Sequence, residues 1–334
     1  MTIKFNNVYL KDASTISGFD EKEGRFGKLY DKCYLDYYME CDTFEKAEIK
    51  MVKESVITLL TKTNTLLDNI DVIIGGDLLN QITVNAYAST YFNRPFLGVY
   101  NACASMCEEI IISSSLLQNK NVKNVICSIS SHNMTAERQY RNPVEYGAPK
   151  PKRSTFTVTG AASSLITKEK TNIKVSAACI GITTDLGVTD TFDMGSVMAP
   201  SAARVINDYL NDTNTKVEDY DLILTGDLGV YGKEILRVYM EEEYQIDFKD
   251  KLEDAGSIIY DRQKQKHVNA GGSGPSCLPL VSYTYVLDKL RKKEFKKVLL
   301  VATGALMSPT MNNQKFSMPS ISHLVCLEAV LWYF

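Results

Sequence analysis

Residues 64–78 read NTLLDNIDVIIGGDL, and residues 214–228 read NTKVEDYDLILTGDL. Seven of these fifteen aligned pairs are identical, and the other strand positions stay apolar. The helical patterns before the two stretches also match, with Val56 opposite Ile206 and Leu60 opposite Leu210. Self-similarity at a fixed offset indicates a duplicated unit. We therefore predict two related halves, residues 1–168 and residues 169–334.

The duplication continues beyond this strand. Residues 125–130 (VICSIS) correspond to residues 298–303 (VLLVAT), and the hairpin over 154–167 corresponds to that over 316–327. Buried strands that alternate with helices are typical of an α/β protein with mainly parallel sheets. Two such halves, packed around a pseudo-two-fold axis, would bring equivalent turns to a shared centre. Residues 229–268, rich in Glu and Lys, are interpreted as surface elaboration of the second half.

Cys103 lies at a predicted strand-to-helix turn. The apolar run over 96–100 predicts a buried strand, and Met106, Ile110 and Ile111 begin a helical stripe. The unpaired N–H groups of the first helical turn would favour a thiolate or a bound anion at this position. The alternative is a buried structural cysteine, since free Cys is among the most buried residue types.

Composition excludes several classes of function. The formal net charge of −3 favours no nucleic-acid partner, and eight scattered cysteines show no spacing typical of a zinc site or a disulfide framework. We expect no metal and no cofactor. No apolar run approaches the roughly 20 residues that span a bilayer, and the N-terminus lacks a signal-peptide pattern. A cytosolic location is therefore expected, with the apolar end at 330–334 as a docked terminus.

Small-residue motifs suggest a superfamily. A duplicated α/β half with Cys103 at its turn resembles the thiolase fold, whose members include the β-ketoacyl synthases. Residues 270–276 (AGGSGPS) resemble the glycine-rich loop of those synthases, and Thr159-Gly160-Ala161-Ala162 resembles their small-residue hairpin. The resemblance implies a thiolase-like fold with two duplicated halves packed in αβαβα layers around a pseudo-two-fold axis.

Four longer stretches resemble a more specific family, the stage V sporulation protein AD family. They are residues 76–81 (GDLLNQ), 130–141 (SSHNMTAERQYR), 190–200 (DTFDMGSVMAP) and 302–311 (ATGALMSPTM). The resemblance implies non-enzymatic binding of dipicolinic acid (pyridine-2,6-dicarboxylate), alone or with calcium. It also implies integral membrane partners of the same sporulation system, and a position peripheral to the spore inner membrane. That system moves dipicolinate into the forespore and releases it in germination. A homodimer is a further expectation.

Buried carboxylates need cations or N–H donors, because an unpaired buried charge is costly. The expected ligand-binding residues are Cys103, Ser131, His132, Asn133, Arg138 and His323, with Arg141 as a second guanidinium near Arg138. Each has an alternative: His132 could brace the strand end, and the two arginines could form ion pairs with Glu137 and Glu145. The basic run over 150–153 is interpreted as a solvated loop, and Asp77 and Asp227 as structural turn residues.

The condensing enzymes of this fold need two partners for the cysteine. In the β-ketoacyl synthases a His lies at the place of residues 224–227, and an Asn lies near Gly272, yet this sequence has neither. We therefore predict no catalytic residues. The alternative function is a condensing acyltransferase that uses Cys103 with His132 or His323 as the base. A third alternative is a scaffold for a membrane complex with an empty pocket.

Overall fold

The computed structural model describes residues 1–330, so the expected docked end at 331–334 lies outside the described residues. Fourteen strands are formed in this part of the chain. Their bounds are β1 Thr2–Lys4, β2 Tyr9–Ser17, β3 Lys32–Cys33, β4 Val72–Gly76, β5 Phe96–Gly98, β6 Asn124–Ser131, β7 Phe156–Thr157, β8 Gly160–Thr167, β9 Ile173–Cys179, β10 Leu222–Thr225, β11 Leu252–Asp254, β12 Gly272–Ser273, β13 Lys297–Ala305 and β14 Ser320–Ala329.

Eleven α-helices lie between these strands in the described chain. They are α1 Phe19–Lys22, α2 Phe44–Thr63, α3 Thr83–Ser89, α4 Ser105–Leu116, α5 Asn133–Tyr140, α6 Met194–Thr213, α7 Gly229–Tyr244, α8 Ala255–Ile258, α9 Cys277–Val281, α10 Leu287–Arg291 and α11 Pro309–Asn313. A π-helical segment, Ser282–Val286, joins α9 to α10. Short 3₁₀ turns occur at Leu67–Asn69, Asn80–Ile82, Ala102–Ala104, Val144–Tyr146, Val217–Asp219 and Lys266–Val268.

The strand order has an internal symmetry. The main path runs β5-β4-β6-β8-β2 and then β9-β14-β13-β10-β11, so each strand of the first half has a counterpart in the second. The two runs meet at the antiparallel pair Tyr9 and Lys174. In each run the outer strands pair in parallel and the inner strands in antiparallel. The duplicated stretches thus form β4 and β10, and the boundary at 168/169 falls between β8 and β9.

Helices cover both faces of each run of strands. Helix α4 contacts β4 and β6 of the first half and also β13 and β14 of the second, and α9 and α10 contact β8 and β14 respectively. Helix α2 covers the first half on its outer face and α6 covers the second. The largest buried cluster, which includes Met106, Ile110 and Leu280, lies around these central helices. This arrangement confirms the predicted layered α/β fold.

Three details differ from the sequence-based expectations. The sheet is mixed rather than mainly parallel, because β8 and β14, the last strands of the two halves, run antiparallel to β6 and β13. The predicted hairpins are not formed, since β7 pairs with β12 rather than with β8, and 316–319 contain no strand. Residues 229–268 are not merely surface elaboration. They contain α7, which packs on α6, and the edge strand β11, which pairs with β10 as β5 pairs with β4. The many charged residues of this segment did not indicate a helix or a strand. An edge strand and an outer helix each leave one face in water, and that face carries the charges.

No helix within residues 1–330 is both long and apolar enough to cross a bilayer. The strands β4, β5, β6 and β13 end near one another, and the segments that follow them line a shared cavity. Crevices at the carboxyl ends of parallel strands are the usual place for ligand sites in α/β sheets.

Candidate functional site

Cys103 lies in the short turn that connects β5 to α4. The turn begins with Ala102 at a φ of +49°, a left-handed conformation that a residue with a side chain adopts rarely. The neighbouring strand β13 comes very close, since a Cβ added at Gly304 would lie 2.5 Å from the Asn101 carbonyl oxygen. A glycine is therefore required at 304. This tight packing holds the Cys103 thiol, which is partly buried, at the edge of the cavity.

The Asp227 carboxylate is the charged group that contacts Cys103. The carboxylate lies close enough to the thiol to act on its charge, and it accepts from the Thr303 hydroxyl and from the Gly274 backbone N–H at 3.1 Å. Burial raises the pKa of Asp227 to about 6. Burial, followed by the negative charge of Asp227, raises the pKa of the Cys103 thiol well above its ordinary value. The arrangement therefore opposes formation of a thiolate, despite the helix that follows.

The glycine-rich loop reaches this point from the second half. Gly274 has a φ of +100°, and a Cβ there would lie 3.1 Å from the Ser131 hydroxyl oxygen. Ser131 donates to the Val158 carbonyl at 2.7 Å and shares a short hydrogen bond with Ser276. The Asn133 side chain donates to the Thr157 carbonyl at 3.2 Å. These side chains hold the loop and the strand beside the cavity.

A cavity of about 350 Å³, called here the inner cavity, opens beside the Cys103 turn. Most of its wall is apolar, and includes Leu78, Ala102, Ala136, Met194, Leu306 and Met307. The hydroxyl groups of Tyr100 and Tyr140 share a short hydrogen bond, and the hydroxyl that accepts it donates to the Leu78 carbonyl, which lies within reach of both. The Asn101 amide and the Thr157 and Ser308 hydroxyls add polar groups. This combination of apolar walls and few polar groups is typical of small-molecule sites.

The two arginines considered in the sequence are separated by the helix. Arg141 lines the inner cavity, and its side chain is only 8% exposed. Its guanidinium donates to the Thr191 carbonyl and forms an ion pair with Glu137 at 3.0 Å. The Arg138 side chain is 47% exposed, forms an ion pair with Glu45 and does not line the inner cavity. The ion-pair alternative thus describes both residues, although the partner of Arg138 is Glu45 rather than Glu145. Only Arg141 faces the cavity.

The two candidate histidines are buried and have both ring nitrogens engaged. His132 caps α5: its Nδ1 accepts from the Met134 N–H at 3.2 Å, and its Nε2 lies 2.9 Å from the Tyr37 carbonyl. In His323, Nδ1 accepts from the Gly181 N–H and Nε2 lies 3.2 Å from the Asn101 amide. Burial lowers the pKa of each imidazole to about 4. Both are therefore neutral near pH 7, and neither brings a positive charge to the site.

None of the six predicted binding residues lines the inner cavity. Cys103, Asn133 and His323 contact residues that line it, and Ser131 lies against the glycine-rich loop behind it. His132 and Arg138 lie on the other side of α5, where they brace that helix. None of these geometries tests ligand contact, so the six residues stay predictions as binding residues. Sequence reasoning missed Asp227 as the partner of Cys103. Asp227 was visible in the sequence only as a turn residue that follows a strand, and local patterns carry no signal that pairs it with Cys103.

Comparison with known proteins decides the family. The family model "Stage V sporulation protein AD (SpoVAD)" matches residues 1–328. The chain belongs to this family. It is also 40% identical over 322 residues to the stage V sporulation protein AD of Bacillus subtilis (strain 168), which covers 96% of this chain and 94% of that protein. The resemblance seen in the four sequence stretches is confirmed.

Solved structures show the fold. The chain is similar to 3-oxoacyl-[acyl-carrier-protein] synthase III from Aquifex aeolicus VF5, with a TM-score of 0.58, 11% identity and coverage of 96% of this chain and 99% of that one. It is also similar to OleA from Xanthomonas campestris, with a TM-score of 0.61, 13% identity and coverage of 98% and 99% respectively. These likenesses confirm the thiolase-like fold.

Proposed function

We propose that this protein binds dipicolinic acid (pyridine-2,6-dicarboxylate) in the inner cavity, without chemical turnover. Membership of a sporulation family supports the biological setting. The observation that carries the proposal is the Arg141 guanidinium, the one charged side chain on the cavity wall among the described residues. A planar aromatic carboxylate needs an apolar surface for its ring and a cation for its carboxylate. The inner cavity offers both.

The chemistry around Cys103 supports binding rather than condensation. An acyl-transfer step would need a thiolate and would develop negative charge on a nearby thioester oxygen. The Asp227 carboxylate lies against the thiol, so it would repel both charges. The ring nitrogens of His132 and His323 are engaged by other groups, so neither imidazole is placed to act as a base for Cys103.

The charge on the cavity wall suggests how the second carboxylate is accommodated. One guanidinium balances one of the two carboxylates, and an uncompensated charge in this partly buried space would be unfavourable. A calcium ion held by the ligand's own nitrogen and carboxylate oxygens would neutralise the other charge. Oxygen ligands are the ones that calcium prefers. The proposal therefore includes tighter binding of the calcium complex than of free dipicolinate.

We further propose that the protein acts at the spore inner membrane through integral membrane proteins of the same sporulation system. The support is the family membership together with the finding that no helix within residues 1–330 could span a bilayer. Co-flotation with vesicles that contain those partners, but not with pure lipid vesicles, is the expected result. Flotation with pure lipid alone would contradict it.

The test of binding is a calorimetric titration of the purified full chain with dipicolinate, with and without calcium. Arg141→Gln removes the cavity cation and should weaken binding by about tenfold to a hundredfold, the usual value of a charge-assisted hydrogen bond. Arg138→Gln is the matched control, because it removes the same charge three residues away and outside the cavity. It should bind like the wild type.

The same experiment separates the alternatives. Absence of binding by the wild type would refute the proposal and favour the scaffold. Equal weakening by both arginine variants would show that charge acts from a distance rather than in the cavity. Turnover of acyl thioesters that disappears in Cys103→Ala would favour the condensing enzyme, the activity class of the structural neighbours.

A further inference from the structure

A second cavity adjoins the first and shares one side chain with it. This outer cavity has a volume of about 400 Å³, and Arg141 lines both spaces. The residues of the outer cavity that matter here are Glu137, Arg141, Lys150, Phe156, Phe192 and His267. It is built by the end of α5, the segment that follows it and the approach to the glycine-rich loop. The function proposed above does not use it.

The charged groups of the outer cavity form one cluster. The Glu137 side chain is fully buried, and its Oε1 accepts from Arg141 Nη1 at 3.0 Å. Lys150 Nζ lies 2.9 Å from Glu137 Oε2, an ion pair without the geometry of a hydrogen bond. Two cations around one buried carboxylate leave one positive charge in excess. Lys150 was interpreted from the sequence as part of a solvated loop, yet its side chain is only 25% exposed and turns inward.

The opposite side of the outer cavity carries a histidine that contacts a carboxylate. His267 Nε2 lies 2.9 Å from Asp20 Oδ1, and this imidazole is half-exposed. The Phe156 ring lies edge to face with it, at 5.2 Å between ring centroids. The excess positive charge therefore lies on the Arg141–Lys150 side, which makes that side the one that attracts an anion.

Arg141 has donors left for a ligand. Its hydrogen bonds to other residues run from Nε and Nη2 to the Thr191 carbonyl and from Nη1 to Glu137. They use three N–H groups, whereas a guanidinium has five. Its Cζ lies 5.3 Å from the centroid of the Phe192 ring, so that ring covers one side of the guanidinium. A cation beside aromatic walls suits a planar ring with a carboxylate.

We propose that the outer cavity is a second binding site for an aromatic carboxylate of the class that the inner cavity binds, and that Arg141 is shared by the two sites. A ligand that Lys150 and Arg141 hold in the outer cavity is separated from the inner cavity by the Arg141 side chain, which lines both. This inference rests on the proposed function.

The test counts binding events on the full chain by calorimetric titration with dipicolinate. The wild type should bind two equivalents, one tightly and one weakly. Lys150→Gln should lose the weaker event and leave the tighter event detectable, although Glu137 then pairs with Arg141 alone. Lys152→Gln is the matched control, because it removes an exposed charge from the same basic run and should keep both events. Lys150→Arg should restore the weaker event, and Arg141→Gln should weaken both.

A blocked inner cavity provides the complementary measurement. Ala136 lines the inner cavity only, so Ala136→Trp should remove the tighter event and leave the weaker one. Comparison of the thermal midpoints shows that each variant is folded. A single wild-type event that is unaffected by Lys150→Gln would overturn this inference while the proposed function stands. Absence of any binding would overturn the proposed function, and this inference with it.

Discussion

Replacement of Asp227 by Asn should make the Cys103 thiol markedly more reactive. The side chain keeps its size and can still accept from the Thr303 hydroxyl, but the negative charge beside the thiol is removed. At an effective dielectric constant of about 20, two like charges at a contact distance of about 4 Å repel each other by about 4 kcal/mol, so removal of the carboxylate charge should lower the pKa of the thiol. Burial of the thiol is unchanged, so its pKa should fall but stay above the ordinary value.

The assay is the rate of alkylation by iodoacetamide as a function of pH, with peptide mapping to follow Cys103 alone. At pH 8 the Asp227→Asn rate should exceed the wild-type rate by about tenfold to a thousandfold, because the rate follows the thiolate fraction. The limiting alkylation rate at high pH should change little if the substitution only lowers the pKa of the thiol. A higher limiting rate would indicate that the turn has opened and made Cys103 more accessible.

Asp77→Asn is the matched control, because Asp77 lies at the equivalent turn of the first half. Its carboxylate accepts from the Leu79 and Asn85 N–H groups rather than from the thiol. This variant should therefore leave the Cys103 rate within about twofold of the wild type. Equal Cys103 rates in the wild type and Asp227→Asn at every pH would refute the reasoning that the carboxylate suppresses the thiolate.

Two further substitutions test the buried polar groups and the tight turn. Burial raises the pKa of Glu21 to about 8, so its contribution to stability is complete below pH 4.5 and is lost as the pH rises to 8. Glu21→Gln, which can still accept from the Tyr260 hydroxyl, should reduce that loss by a few kcal/mol in urea unfolding, and an unchanged pH dependence would contradict this. Gly304→Ala should cost about 1–3 kcal/mol because of the clash with the Asn101 carbonyl, whereas Gly226→Ala meets nothing closer than 3.5 Å. Equal melting temperatures for the two alanine variants would refute the packing argument.

Much of the architecture could be predicted from the sequence, because it depends on local patterns. The repeat of residues 64–78 at 214–228 predicted the symmetric strands β4 and β10. The change from an apolar run to a helical stripe located Cys103 at its turn. The edge strand β11 was not predicted, because a three-residue strand among charged residues has too few positions to show a pattern.

The sequence placed several candidate polar residues near one another along the chain, but it did not determine which of them face the ligand. Arg138 and Arg141 are three residues apart, and only the termination of α5 at Tyr140 and the packing of that helix turn Arg141 inward. His132 follows its strand as expected, yet the chain segment around Tyr37 covers it. Whether such a side chain faces a cavity depends on residues that are distant in the sequence and pack against it. Local periodicity does not identify those residues.

The sequence by itself determined that this chain is a duplicated α/β protein of one sporulation family, with a cysteine at a strand-to-helix turn. Only the tertiary structure decided what surrounds that cysteine. Asp227 comes from the other half of the chain, and its carboxylate meets the thiol because the two halves pack with their equivalent turns together. The physical reason is that a thiol's charge state is set by the groups within a few ångströms, wherever in the sequence they lie.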